Sequence, residues 1–273
     1  ASSMLVVMRA YFEKPRTTLG WKGLIYDPDL NGEYNIEKGI LTARSLLLKI
    51  AAMGLPVASE VLDPVMSAYF TDAISWAGIG ARTTESPTHR QLASGLPMPV
   101  GFKNGTDGSL KTALEALTTV VAPHSFIGVM RNGHTGIFRT KGNPFCHLVL
   151  RGGINGPNYS PEHLADARQK LADAGLRQRI LVDCSHGNSS KNIQIQKTVF
   201  EFLIKQYCIG TDSLAGVMLE SYLKAGNQQL LDKRPVLPDI SITDPCLGWE
   251  ESQEIILDAD QKIHLAARNI LRY

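Results

Sequence analysis

The sequence predicts an α/β fold of the (β/α)8 TIM-barrel class. Short apolar runs alternate with amphipathic stretches seven times along the 273 residues, which is typical of parallel strands joined by right-handed crossovers. The strand cores lack polar alternation, as expected where both faces of a sheet are covered. No GxGxxG sequence follows an early strand, which favours a closed barrel over an open nucleotide-binding sheet.

Each of the seven units places a predicted strand before a predicted helix. The strands span 4–12, 55–62, 77–82, 98–104, 145–153, 179–186 and 214–221. The helices span 35–53, 63–75, 86–95, 108–121, 160–175 and 192–206, and the C-terminal segment follows the last strand. The apolar stripe of the first helix is predicted at Ile36, Ile40, Leu47 and Ala51.

Start signals support three of these helices. Asp63, Ser86 and Ser160 each precede a proline, and a capping side chain followed by proline is a common way to begin a helix. The histidines His89, His124 and His163 fall in helices or loops, and we expect them at the surface.

An additional segment over 125–143 interrupts the alternation. Its "RNGH" lies between alternating apolar residues, which indicates a β-hairpin. We predict one barrel domain over 1–273 that carries this hairpin as an insertion. The chain opens directly into a strand, so seven units instead of eight suggest that the first barrel strand is missing.

Composition excludes several classes of function. The net charge is +2 and the pI is near 8.3. This charge produces too weak an electrostatic field to attract nucleic acid or a membrane surface, so we expect neither partner. Four cysteines occur without CxxC pairs, which favours reduced thiols and a cytoplasmic protein. No apolar run approaches about 18 residues and no signal peptide is visible.

Cations follow the predicted strands at the end that carries catalysis in a barrel. The residues near the carboxyl ends of the strands include Lys14, Arg16, Glu60, Arg82, Lys103 and Arg151. A surface ion pair is the ordinary role for any one of these cations. Their shared position predicts a small substrate that carries phosphate or carboxylate groups, which arginine binds bidentately and lysine binds as a point charge.

A second set of residues suits a divalent metal. His186 in "DCSHGN", Glu220 in "MLES" and Asp244 in "SITDPC" offer one imidazole and two carboxylates, the donors of a Lewis-acid transition metal. Alternatives remain open at this point. A buried histidine, a carboxylate paired with an arginine and a capping aspartate would also explain the three residues.

Several strings together resemble one family. They are "YFEKPRTTLGWKGLIYDP", "GARTTES", "HRQLASGLPMPVGFKNGTDG", "LRGG", "PNYSPEH", "DCSHGNSSK", "GVMLES", "AGNQ" and "SITDPCLGWE". In this order they resemble the type I 3-deoxy-D-arabino-heptulosonate-7-phosphate (DAHP) synthases, from about Leu5 to the C-terminus. The resemblance implies that phosphoenolpyruvate and erythrose 4-phosphate condense to DAHP and phosphate, which is the first step of the shikimate pathway.

The resemblance also implies roles for individual residues. Arg82, Lys103 and Arg151 match residues that hold phosphoenolpyruvate, and Arg9 and Lys14 would lie near it. Glu60 and Ala81 are also predicted to bind substrate. Arg16 and Thr17 match erythrose 4-phosphate contacts, and His186, Glu220 and Asp244 match three ligands of a divalent metal, with Mn, Fe, Co and Zn not distinguished. The implied catalytic residues are Lys14, as proton donor, and His186.

Regulation and assembly are implied in the same way. The hairpin near Asn132 resembles a regulatory element for an aromatic amino acid effector, and the full-length protein would be a homodimer or homotetramer. The family's fourth metal ligand is a cysteine on the first barrel strand, and none of Cys146, Cys184, Cys208 and Cys246 lies in a matching motif. We therefore expect weak metal binding and little activity from this chain alone.

Three competing functions remain. Lys103 or Lys14 at a strand end suits a Schiff-base aldolase. The second alternative is an inactive fragment. The third is a non-catalytic regulatory subunit that binds an aromatic amino acid. A relative that acts on arabinose 5-phosphate is disfavoured, because "KPRT" resembles the heptulosonate branch.

Overall fold

The structure is a computed structural model that describes residues 3–15, 19–130, 132–230 and 237–270, with side chains through 268. The chain forms two compact units. The first unit comprises Val6–Gly105 and Leu110–Leu148, and the second comprises Ala1–Leu5, Thr106–Ser109 and Val149–Tyr273. Within the described parts of the chain, none of the helices has both the length and the apolar composition that a membrane crossing requires.

The first unit is a parallel sheet with its crossover helices. Its strands are β1 (Met8–Arg9), β2 (Val57–Glu60), β3 (Trp76–Ile79), β4 (Val100–Lys103), β5 (Ser125–Val129), β6 (Thr135–Arg139) and the start of β7 (His147–Leu150). Its helices are α1 (Ile36–Ala52), α2 (Pro64–Ser67), α3 (Pro87–Ala93) and α4 (Lys111–Val120). β1 to β4 pair in parallel in chain order, and β7 follows β4 in the sheet.

The second unit continues the same strand–helix pattern. It holds the end of β7, then β8 (Ile180–Asp183) and β9 (Leu214–Met218) in that order, with β8 and β9 parallel. Its helices are α5 (Pro161–Asp173), α6 (His186–Ser189), α7 (Ile193–Cys208) and α8 (Trp249–Ile270). A short parallel pair, β10 (Lys224–Asn227) with β11 (Ile240–Ser241), was not predicted, and neither was α6.

Each of the seven predicted strands forms, although β1 is much shorter than its predicted span. The four-residue strands β4 and β7 are buried along their whole length, which confirms for these two strands that both faces are covered. β1 and β9 are partly exposed. The predicted hairpin also forms, since β5 and β6 pair antiparallel from Ser125↔Arg139 to Val129↔Thr135. That 1–273 is one domain stays a prediction.

The predicted stripe of α1 was partly wrong. The buried face consists of Gly39, Ala43, Leu47 and Ile50, so Leu47 was right, but Ile36 and Ala51 are exposed. A Cβ added at Gly39 would lie 2.1 Å from the carbonyl oxygen of Ile25. Gly39 therefore faces the backbone of Ile25. Because of this close approach, the buried face of α1 is rotated away from the predicted stripe.

Helix caps follow the sequence. The carboxylate of Asp63 accepts from the backbone N–H groups of Val65 and Met66, and Ser86 and Ser160 cap α3 and α5 in the same way. The expectation that His89 lies at the surface was wrong, because its ring is buried. Its Nδ1 lies 2.8 Å from Ser86 Oγ and its Nε2 lies 2.6 Å from the carbonyl oxygen of Leu62, so both ring nitrogens of the buried imidazole have a polar partner.

Candidate functional site

Three of the predicted site residues lie together in the second unit. One ligand atom from each of His186, Glu220 and Asp244 lies within 4.8 Å of the other two, and His186 Nε2 is 3.8 Å from Glu220 Oε1. The side chains are between 14% and 21% exposed, so they are screened from bulk water yet reachable by a small ion. An imidazole and two carboxylates at this spacing form a donor set suited to a divalent transition metal.

A buried carboxylate orients the histidine. Asp183, at the end of β8, is fully buried, and its Oδ2 lies 3.0 Å from His186 Nδ1. Ser185 Oγ donates to Asp183 Oδ1 at 2.6 Å and lies 2.7 Å from the same Nδ1. Because both partners accept from an Nδ1–H, the geometry favours the tautomer whose Nε2 lone pair faces the carboxylates, as in carboxylate–histidine–metal arrangements.

The backbone around His186 is held in an unusual conformation. His186 has φ of +52°, which an L-residue adopts only when its surroundings demand it. The N–H of Gly187 donates to the carbonyl of Arg151 at 3.0 Å. A Cβ on Gly152 would lie 2.4 Å from a backbone carbon of Gly187, so the glycines let these two loops pack backbone against backbone. Arg151, a predicted substrate residue, is thus joined to the loop of the histidine.

Asp244 has a neighbouring cation, since Lys191 Nζ lies 3.4 Å from its Oδ1. Among the described residues, the His186 group contains no cysteine. Cys146 is in the core, and burial raises the pKa of its thiol to about 12, so it stays protonated and is unsuited to metal binding.

The first unit gathers the other predicted substrate residues at one edge of its sheet. Those that the structure describes are Arg9, Lys14, Glu60, Ala81, Arg82 and Lys103. Arg9 lies on β1, Glu60 and Lys103 end β2 and β4, and Arg82 follows β3. Since β1 to β4 are parallel neighbours, these strand ends share one edge. Arg82 is exposed, Lys103 is 6% exposed and the others are half-buried.

Hydrogen bonds join the ends of β3 and β4. The Thr84 hydroxyl lies 2.9 Å from the carbonyl of Lys103 and 3.0 Å from that of Gly80, which anchors the turn that carries Arg82. A Cβ on Gly80 would lie 2.4 Å from Glu60 Oε1. A side chain at this position would therefore displace the Glu60 carboxylate from its place beside the turn.

Two predicted residues lie outside the described part of the chain, namely Arg16 and Thr17. Sequence reasoning also missed residues that act on the site indirectly. Neither Asp183 nor Ser185 was assigned to the site from the sequence. Their position beside the histidine in "DCSHGN" is the signal that could have found them. A metal-binding histidine usually donates a hydrogen bond from its second ring N–H to a nearby carboxylate or carbonyl.

Comparison with known proteins identifies relatives along nearly the whole chain. The model of the DAHP synthetase I family matches residues 1–257. The Tyr-sensitive phospho-2-dehydro-3-deoxyheptonate aldolase of Escherichia coli (strain K12) is 48% identical over 265 residues, which are 97% of this chain and 74% of that protein. The Phe-sensitive enzyme of the same strain is 49% identical over 251 residues, 92% of this chain and 71% of that protein.

A solved structure agrees with these matches. The phospho-2-dehydro-3-deoxyheptonate aldolase of Francisella tularensis SCHU S4 superimposes with a TM-score of 0.91 at 45% identity, over 95% of this chain and 76% of that one. This likeness confirms the predicted α/β fold class and is consistent with a (β/α)8 barrel.

Proposed function

The chain belongs to the DAHP synthetase I family, and from this we propose that it condenses phosphoenolpyruvate with D-erythrose 4-phosphate. The products are DAHP and phosphate, and the reaction is the first step of the shikimate pathway that leads to chorismate and the aromatic amino acids. The enzyme is a transferase. The observation that carries the proposal is the cluster of His186, Glu220 and Asp244 in a chain that matches the family over residues 1–257.

We propose that these three residues hold a divalent metal ion. The donor set fits such an ion, because Asp183 and Ser185 keep the Nδ1 proton of His186 in place and leave Nε2 as a ligand atom. When bound, the ion supplies Lewis-acid polarisation of a carbonyl oxygen.

The cations bind and orient phosphoenolpyruvate, which carries a carboxylate and a phosphate. The guanidinium groups of Arg9, Arg82 and Arg151 are forks that suit either anion. Lys103 places its ammonium group in a buried position, where the lower effective dielectric strengthens its attraction for an anion. Glu60 and Ala81 complete the proposed contacts, and Arg16 with Thr17 is proposed for erythrose 4-phosphate.

The chemistry then needs one proton at the aldehyde oxygen. As the methylene carbon of phosphoenolpyruvate bonds to the aldehyde carbon, the aldehyde oxygen gains negative charge, and Lys14 donates a proton to it. Water then adds at the adjacent carbon, which bears the phosphate, and a proton lost from this water restores Lys14. The carbon–oxygen bond to phosphate breaks, which leaves a keto group on that carbon. Preorganised cations around the phosphate stabilise the charge that it takes away.

Family membership favours this function over the alternatives. The Schiff-base aldolase would form an imine at Lys103 or Lys14, and borohydride with substrate would then trap it. A regulatory subunit or an inactive fragment would not consume phosphoenolpyruvate. We expect no borohydride trapping and a requirement for the divalent ion.

Relatives of this chain are named as Tyr-sensitive and Phe-sensitive, and we propose that an aromatic amino acid regulates this enzyme too. The hairpin segment 125–143 is the proposed regulatory element, and a homodimer or homotetramer is the proposed assembly. The free cysteines support a cytoplasmic location. Hydrogen exchange over 125–143 in the presence of tyrosine, phenylalanine or tryptophan tests the hairpin, because bound effector would slow exchange there.

The test of the reaction follows phosphoenolpyruvate loss and phosphate release by the purified chain with erythrose 4-phosphate and Mn²⁺. We expect equal amounts of both, loss of turnover with EDTA, and recovery when Mn²⁺ is added back. His186→Ala should abolish turnover, while His163→Ala, which alters an exposed histidine on α5, should not. Turnover that survives EDTA or His186→Ala would overturn the metal site. The rate with stoichiometric metal also tests the expectation that this chain alone has little activity.

A further inference from the structure

Gln196 is a buried amide on an otherwise apolar helix face. The inward face of α7 consists of Gln196, Val199, Phe200, Leu203 and Ile204, and Gln196 is 1% exposed. Burying a side-chain amide is unfavourable unless its donor and acceptor groups are hydrogen-bonded. The bonds that the amide makes therefore explain why a polar residue occupies this position.

Both ends of this amide bond to one residue, Glu220. The backbone N–H of Glu220 donates to Gln196 Oε1 at 2.6 Å, and Gln196 Nε2 donates to the backbone oxygen of Glu220 at 3.3 Å. These two backbone groups lie on either side of the Glu220 Cα. Holding both of them fixes the direction in which the Glu220 carboxylate leaves the backbone.

The same backbone oxygen links the loops that carry the other two proposed ligands. The N–H of Leu247, just after Asp244, donates to the oxygen of Glu220 at 2.9 Å. On the other side, the N–H of Lys191 donates to the carbonyl of His186 at 3.0 Å, and this segment continues into α7. The Glu220 backbone is therefore hydrogen-bonded to both segments. Gln196 connects it to the segment of His186, and Leu247 connects it to the segment of Asp244.

We propose that Gln196 is a positioning residue that sets the metal affinity of the cluster by holding Glu220 in place. This inference rests on the proposed metal site. Outer residues that orient metal ligands typically contribute 10–100-fold to metal affinity. Gln196 is not one of the proposed metal ligands or substrate contacts, and its effect passes through the backbone of Glu220.

The experiment measures Co²⁺ binding by its visible absorption and Mn²⁺ binding by calorimetry, without substrate. Gln196→Met keeps the length and loses both bonds, so we expect metal affinity to fall about 10–100-fold and the Co²⁺ spectrum to change. Gln196→Glu keeps the acceptor for the Glu220 N–H and loses the donor, so we expect a smaller loss. Gln194→Met, at an exposed position of the same helix, should bind like wild type.

Two reference measurements separate the possible failures. Circular dichroism and melting of each metal-free variant show whether it folds, and if Gln196→Met does not fold, Gln196→Glu decides. Wild-type affinity and spectrum in the folded Gln196 variants, together with weakened binding in Glu220→Gln, would overturn the positioning role and leave the metal site standing. Unchanged binding in Glu220→Gln would overturn the metal site itself, and this inference with it.

Discussion

Glu13 is a buried acid in the first unit, and its protonation should make the free energy of unfolding depend on pH. The residue is 7% exposed and lines a small cavity together with residues that include Phe12 and Phe70. Burial raises the pKa of Glu13 from its ordinary 4.5 to about 7. A backbone hydrogen bond from Asp63 lowers this pKa, and the charges of Asp63 and Glu60 raise it.

The sign and the size of the effect follow from this shift. Because the folded state holds the proton more tightly than the unfolded chain, the free energy of unfolding falls as the pH rises from 4.5 to about 7. A shift of this size corresponds to about 3 kcal/mol. Glu13→Gln replaces the carboxyl with a neutral amide of the same shape, so we expect the variant to melt several degrees above wild type at pH 8, by the usual relation of about 2–4 °C per kcal/mol.

The assay compares melting temperatures of wild type and Glu13→Gln at pH 5, 6, 7 and 8. The advantage of the variant should be small at pH 5, grow through pH 6 and 7, and level off at pH 8. Glu33→Gln, which removes an exposed carboxylate in the same unit, controls for the loss of one negative charge. A difference between wild type and Glu13→Gln that stays constant from pH 5 to 8 would refute the reasoning.

Three further substitutions test the site. Asp183→Asn should weaken Co²⁺ binding about 10–100-fold by removing the carboxylate that orients His186, and wild-type affinity in a titration would contradict that role. Gly152→Ala should lower the free energy of unfolding in urea by more than Gly175→Ala does. Both glycines have positive φ, but only at Gly152 would the Cβ meet backbone, at 2.4 Å; equal losses would disprove the packing argument. Lys103→Met should weaken phosphoenolpyruvate binding at least tenfold in calorimetry, and unchanged binding would remove this lysine from the site.

Local features were predictable because their causes lie within a few residues. The caps at Asp63, Ser86 and Ser160 depend on side chains that reach the next turn. The hairpin at 125–143 follows from a turn signal between alternating apolar residues. The placement of Glu60 and Lys103 at strand ends follows from the strands themselves, since parallel strands bring their carboxyl ends to one edge.

Features that depend on a distant neighbour were not predictable. The buried face of α1 is set by Gly39 lying against the backbone of Ile25, which periodicity within the helix does not contain. His89 is buried because the carbonyl of Leu62 lies beside its ring. Gln196 reads as one more polar residue on a helix, and its contacts with the Glu220 backbone exist only once α7 packs beside β9.

The sequence by itself determined the alternation of strands and helices, the cations at the strand ends, and the family and its reaction. These follow from residue types and their order, which folding does not change. Only the tertiary structure decided that ligand atoms of His186, Glu220 and Asp244 lie within 4.8 Å of one another. It also decided that Asp183 orients the imidazole of His186 and that Glu13 is buried away from water. Those properties depend on distances and on burial, and a chain acquires both only when separate elements pack together.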